Sequence, residues 1–294
     1  MSEDTPSEPT AERGTEPGSP DPPGRDAGGG LSGFLGRSRR PAVVAAVALL
    51  VAVVAVVLLR RPPEPPEGLV ILYGDSLSAE ASTSFADELA GTSDAEVVVR
   101  AVPGDAPCDA LGTMRADVEL DPAVVVVQYV GNNATPCTRG PGGERLTGQA
   151  LVERTEADVR TATELFATAG ARVVLVGGPH APGLPGEASL EVADAYDAVV
   201  NEWAGRDLGR VRYADAAATV TGPDHRYVDR LPCRAGEGPA EGCVDGEVVV
   251  RAPDRIHFCP VPHTELACPV PAPGAVRFGE EMARVVRVAL DPNL

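Results

Sequence analysis

The 294-residue chain is 44% hydrophobic, well above what a disordered chain carries, so a globular core is within reach. Its formal charge of −18, with all 25 basic residues arginines, excludes nucleic acid and disfavours other polyanions, because counterion release needs basic residues to neutralise phosphates. The 32 glycines and 29 prolines, with abundant Ala and Val, we read as GC-rich codon usage.

Residues 1–40 are Pro, Gly, Ser, Asp and Glu with little apolar content and are expected to form a disordered tail. Ala42 to Leu59 then runs 18 residues without a polar side chain, bracketed by Arg39, Arg40, Arg60 and Arg61. Such a run, as a helix, matches a hydrocarbon core of about 30 Å, so residues 41–61 are expected to be a transmembrane signal-anchor. A cleaved signal peptide fits poorly: the segment before the run is 40 residues long, and no small-x-small cleavage site follows it. Arg25, Arg37, Arg39 and Arg40 outnumber the arginines just after the span, so the tail is expected in the cytoplasm. After a Pro-rich linker at 62–67, residues 68–294 would then form one extracellular domain attached to the cell membrane by residues 42–59.

All 6 cysteines lie in that domain, as an oxidising compartment predicts. Cys233 with Cys243 and Cys259 with Cys268 are near neighbours flanked by Gly and Pro, and their pairing leaves Cys108 with Cys137.

Val-rich apolar runs at Leu69–Tyr73, Glu96–Ala101, Ala123–Val130 and Arg172–Val176, with a shorter one at Val211–Tyr213, predict strands buried on both faces. Between and after them, Ala81–Ala90, Asp109–Glu119, Gln149–Ala169, Leu190–Ala204 and Ala275–Leu290 show helical periodicity. The alternation predicts an α/β fold: a doubly wound parallel sheet of about five strands with helices on both faces, its ligand site beyond the strands' carboxyl ends.

The chemistry-bearing residues fall at those ends. The first strand runs into Gly74-Asp75-Ser76-Leu77-Ser78, which sets a hydroxyl on a strand-to-helix turn. The second runs into Pro103-Gly104-Asp105, where a glycine lets a backbone N–H approach a bound oxygen. The third runs into Gly131-Asn132-Asn133, where a carboxamide can donate to the same oxygen. After the last strand, Asp254 and His257 stand at i, i+3, a spacing that lets the carboxylate hold one imidazole nitrogen while the other faces the serine.

With Ser76, Gly104, Asn132 and His257 in order, residues 68 to 290 resemble the SGNH, or GDSL, hydrolase superfamily. The resemblance implies a flavodoxin-like α/β fold and a serine esterase that works through an acyl-enzyme. Ser76 would be the nucleophile, His257 the base and Asp254 its orienting partner. The amides of Ser76 and Gly104 and the Asn132 side chain would form the oxyanion hole, and no metal or organic cofactor is required. The third block departs from the family's Gly-x-Asn-Asp. Alignment on its end selects Asn132, the preferred donor, whereas alignment on Gly131 selects Asn133. An insertion after His257 carries Cys259, His263 and Cys268 and could narrow the site mouth.

Blander readings compete residue by residue. Gly74, Gly104, Asn132 and Asn133 would each suit an ordinary turn, and His180, after the fourth strand, suits a solvated loop. His225 and His263 carry no spacing argument. His257, Cys259, His263 and Cys268 resemble a zinc-ligand set in composition, but exported cysteines favour disulfides. The expected substrate is a small-molecule or glycan acyl ester, with a short-chain or acetyl group, handled by a monomer. The same residues would serve an O-acyltransferase or deacetylase of a cell-envelope glycan, and a non-catalytic binding module of the same fold is the alternative from outside acyl chemistry.

Overall fold

The valine runs form five strands: β1 (Leu69–Gly74), β2 (Glu96–Ala101), β3 (Val124–Gln128), β4 (Arg172–Val176) and β5 (Val211–Ala214). They pair in the order β2-β1-β3-β4-β5, every pair parallel. These strands belong to a computed structural model that describes residues 68–182, 188–207, 209–261 and 268–291. The predicted tail, the apolar span and the linker lie outside the described residues. Among the described residues, no helix is long and apolar enough to cross a membrane.

Among the described residues, five α-helices complete the layers: α1 (Ser76–Ala90), α2 (Pro107–Asp117), α3 (Gly148–Ala169), α4 (Ala188–Ala204) and α5 (Pro273–Leu290). Because successive strand side chains point to opposite faces, each valine run feeds two cores. Val70, Leu72, Val124, Val126, Val174 and Val176 pack with Phe85 of α1 and Phe278, Met282 and Val286 of α5. Ile71, Tyr73, Val125, Val127, Val173 and Leu175 face the other way, onto Met114 of α2, Phe166 of α3 and Tyr196 and Trp203 of α4. Full burial of one such side chain contributes about 1.5–3 kcal/mol, which makes this two-sided pattern the main stabilising feature.

The predicted alternation is thus observed, with four local differences. Strand β2 is not buried on both faces: it lies at the sheet edge, and its Val99 is 37% exposed. Strand β3 stops at Gln128 rather than Val130, because the next two amides find other acceptors. Tyr129 N–H donates to Tyr196 Oη at 2.8 Å and Val130 N–H to Asp75 Oδ2 at 2.7 Å. Helix α1 begins at Ser76 rather than Ala81, since Asp75 caps it by accepting from the Leu77 amide at 3.0 Å. Finally, a short antiparallel pair, β6 (Arg230–Pro232) and β7 (Glu247–Val249), was not legible as strands. Its two runs are only 3 residues each, and the pair depends on the Cys233–Cys243 bridge and on a buried ion pair. There Arg277 of α5, 3% exposed, grips Glu237 with Nε at 2.7 Å and Nη2 at 2.6 Å.

Helices α1 and α5 meet so closely at Gly279 that a Cβ there would lie 2.7 Å from the Ala81 carbonyl oxygen and 2.9 Å from the Phe85 nitrogen. Both are backbone atoms of α1, so neither can rotate aside. Gly279→Ala is therefore expected to push the helices apart and to cost about 1–3 kcal/mol, read as a lower urea midpoint. An unchanged midpoint would contradict this packing.

Candidate active site

The loops that follow β1, β2 and β3 converge where the strand order reverses about β1, the place at which an open parallel sheet leaves a crevice. Ser76 is the first residue of α1 and is 9% exposed. Its position follows from Gly74: a Cβ there would press on the Ser78 side chain and lie 2.8 Å from the Gln128 carbonyl oxygen, so only glycine allows the approach. Among the described residues, neither the Ser76 nor the Gly104 amide donates a hydrogen bond. Two N–H groups are thus left for an incoming oxygen, one of them at a helix N-terminus where the peptide dipoles favour negative charge.

Gly104 has φ of +87°, a left-handed conformation that side-chain-bearing residues rarely adopt, and this turns its loop back toward β1. Asn132 meets it there. Its Nδ2 donates to the Asp105 carbonyl oxygen at 3.0 Å and makes a longer contact with Asp75 Oδ2 at 3.5 Å. Asn133 is directed elsewhere: it is 5% exposed, and its Nδ2 donates to the Leu146 carbonyl oxygen at 2.9 Å. Of the two asparagines, then, the structure brings Asn132 to the loop of Gly104. The Cys108–Cys137 bridge, Cα–Cα 6.1 Å, ties the first turn of α2 to the segment after Asn133 and so holds these two loops together.

Beneath them Asp75 is fully buried and accepts from the amides of Leu77 and Val130. Burial pushes its carboxyl up to about 7, against those two amides and the field of His257, which all favour the carboxylate. The His257 imidazole is therefore within electrostatic reach of the residue that caps the serine's helix.

His257 and Asp254 sit on one turn after β7. Asp254 Oδ2 lies 2.6 Å from His257 Nδ1, while Oδ1 accepts from the Ile256 amide at 2.9 Å and the His257 amide at 3.0 Å. Burial alone would raise the Asp254 carboxyl, but the bonds from the His257 ring and the two amides hold it below its ordinary value. The turn closes through Ala252 N–H to the His257 carbonyl, 2.7 Å, and Arg255 takes φ of +64° to make it. The Ser76 hydroxyl makes no hydrogen bond among the described residues, and in unliganded sites the serine–imidazole contact commonly tightens only with substrate.

Two residues that sequence reasoning did not single out support this turn. Arg251, 2% exposed, lies under it, donating from Nη2 to the carbonyls of Arg255 and His180 at 3.4 and 3.3 Å. Its guanidinium stacks 5.3 Å from the Phe258 ring, and burial lowers its pKa to about 10, so it stays charged. Glu80 Oε2 accepts from the amides of Phe258 and Cys259. The signal available in the sequence was a carboxylate one helical turn after Ser76, on the apolar side of an amphipathic helix. His180 lies beside this turn through its carbonyl rather than as a solvated loop residue, and His263 lies outside the described residues.

The other two predicted bridges also form, Cys233–Cys243 and Cys259–Cys268. Bonded to each other, Cys259 and Cys268 offer no thiolate to a metal. Among the described residues, the remaining cluster of metal-ligating types, Cys108, Asp109 and Cys137, likewise contains a disulfide.

A parallel sheet in this order, with a serine at the head of the first helix and an Asp–His pair on the turn after β7, is an α/β fold whose strand-end residues suit a hydrolase. Residues 72–235 match the GDSL-like Lipase/Acylhydrolase family, more than half of the chain, and the protein belongs to that family. It is an ester-hydrolysing enzyme. The match stops short of Asp254 and His257. Similar solved structures include a GDSL-like lipase from Bacteroides thetaiotaomicron, 14% identical over 78% of this chain and 90% of that one, TM-score 0.49. Another is the psychrotrophic esterase EstA from Pseudoalteromonas, 13% identical over 76% and 98%, TM-score 0.47. A third is TesA, 19% identical over 77% and 99%, TM-score 0.45. No curated protein matches the chain.

Proposed function

We propose that this enzyme cleaves a short-chain or acetyl ester through an acyl-enzyme on Ser76, and that it does so outside the cell, anchored by residues 42–59. The observation that carries the chemical reading is the Asp254–His257 pair, 2.6 Å apart, on a turn fastened to the helix that begins with Ser76.

Each residue then has one task. Ser76 Oγ attacks the ester carbonyl carbon as its proton passes to His257 Nε2, while Asp254 fixes the opposite nitrogen and stabilises the imidazolium. The carbonyl π electrons move onto oxygen, which is met by the free amides of Ser76 and Gly104. Asn132 supplies the third donor: its 3.5 Å contact to Asp75 is the weaker of its two, and that hydrogen turns to the oxyanion. Collapse expels the alcohol, which takes the proton from His257. Water then attacks the acyl-enzyme carbonyl, giving a proton to His257 that returns to Ser76 Oγ as the acid leaves.

The extracellular placement is supported by the arginine asymmetry about the apolar run and by three disulfides with no free cysteine. One reagent tests both parts: a membrane-impermeant phosphonate that reacts with activated serines. On the purified chain, the adduct is expected on Ser76, located by mass spectrometry, with loss of p-nitrophenyl acetate hydrolysis. On intact cells the same adduct is expected. Labelling of another residue would overturn the serine assignment, whereas labelling only after lysis would overturn the placement alone.

A further inference from the structure

We infer that Glu80 is a positioning residue for the reaction, fixing the His257 turn to the helix that carries Ser76; this rests on the serine-esterase reading above. Glu80 stands one helical turn beyond Ser76 on α1, on the same face, and is 9% exposed. Its Oε2 accepts from the Phe258 amide at 2.7 Å and the Cys259 amide at 3.3 Å. Those are the two residues directly after His257.

A buried carboxylate is a costly way to hold a loop, since desolvation costs several kcal/mol per ion unless hydrogen bonds offset it. Apolar packing already attaches this segment, with the Phe258 and Phe278 rings 5.2 Å apart. What the carboxylate adds is direction. A ring contact tolerates sliding, whereas a charge-assisted bond to two successive amides sets the backbone's position and angle. The other side of the turn is held separately, by Asp254 on the His257 ring and by Arg251 beneath Arg255, its cation within electrostatic reach of both Glu80 and Asp254. Without Glu80, the segment after His257 would keep its ring contact and its disulfide but lose the two bonds that set its direction, leaving His257 free to pivot away from Ser76.

The test compares the full-length chain with its Glu80→Ala, Glu80→Gln and Glu80→Asp variants, each normalised to active sites titrated with the phosphonate. A displacement on the order of 1 Å costs about 100-fold in rate, so Glu80→Ala is expected to lower kcat by about 10- to 100-fold with KM nearly unchanged. The rate of phosphonate inactivation should fall by the same factor. Glu80→Gln keeps an acceptor oxygen and is expected to recover kcat to within about fivefold of the parent, a difference of roughly 1 kcal/mol. Glu80→Asp, which withdraws the carboxylate by one methylene, should be slowed and decides the matter if the alanine variant does not fold. A kcat per titrated site equal to the parent's in Glu80→Ala or Glu80→Asp overturns the inference, as does a glutamine variant as slow as the alanine one. His257→Ala, run in parallel, separates the two ideas: turnover retained there sinks the esterase mechanism itself, whereas its loss beside a normal Glu80→Ala sinks only the positioning role.

Discussion

Ser76→Ala is expected to lower p-nitrophenyl acetate hydrolysis by a factor on the order of 10⁴ or more while the domain keeps its thermal midpoint. The two halves of that result have separate causes. Activity falls because no other hydroxyl is presented at the head of α1: Ser78, the next serine, is buried and donates to Gln128 Oε1 at 2.6 Å. Stability holds because the Ser76 hydroxyl makes no hydrogen bond among the described residues, so its removal leaves no partner unsatisfied. His257→Ala should be nearly as damaging and the double variant no worse than either, since members of a catalytic unit do not contribute additively. Retained turnover in Ser76→Ala, measured against uncatalysed hydrolysis, would end the serine mechanism.

Asn132→Ala and Asn133→Ala are expected to fail in different ways, although the residues are adjacent. Removing Asn132 takes away the amide that reaches the Gly104 loop, so kcat should drop about 10²- to 10³-fold, the usual effect of deleting one oxyanion donor. Removing Asn133 takes the 2.9 Å donor from the half-buried Leu146 carbonyl. That should cost about 0.5–1.5 kcal/mol of stability with little change in kcat. Paired kinetics and urea titration check both. A larger kcat loss in folded Asn133→Ala than in Asn132→Ala would reverse the assignment.

What the sequence by itself determined is what short-range chemistry encodes. The two-faced valine runs specify a buried parallel sheet, because a β-branched strand with no polar side survives only between two layers of helices. The residues at the strand ends then specify the chemistry, because each loop sits at a fixed place relative to its strand. The cysteine pairs were legible for a related reason, two of them being close neighbours in the chain. Tertiary structure alone decided the rest. Asn132 and Asn133 are equivalent by composition, and only their different acceptors, the Asp105 and Leu146 carbonyls, separate them. The early end of β3 came from acceptors on Asp75 and Tyr196, which lie 55 and 67 residues away. The link from Glu80 to Phe258 spans 178 residues and joins the two ends of the site. No local pattern marks such a contact, because its partner is a backbone amide, which every residue but proline has, and the fold alone chooses which one.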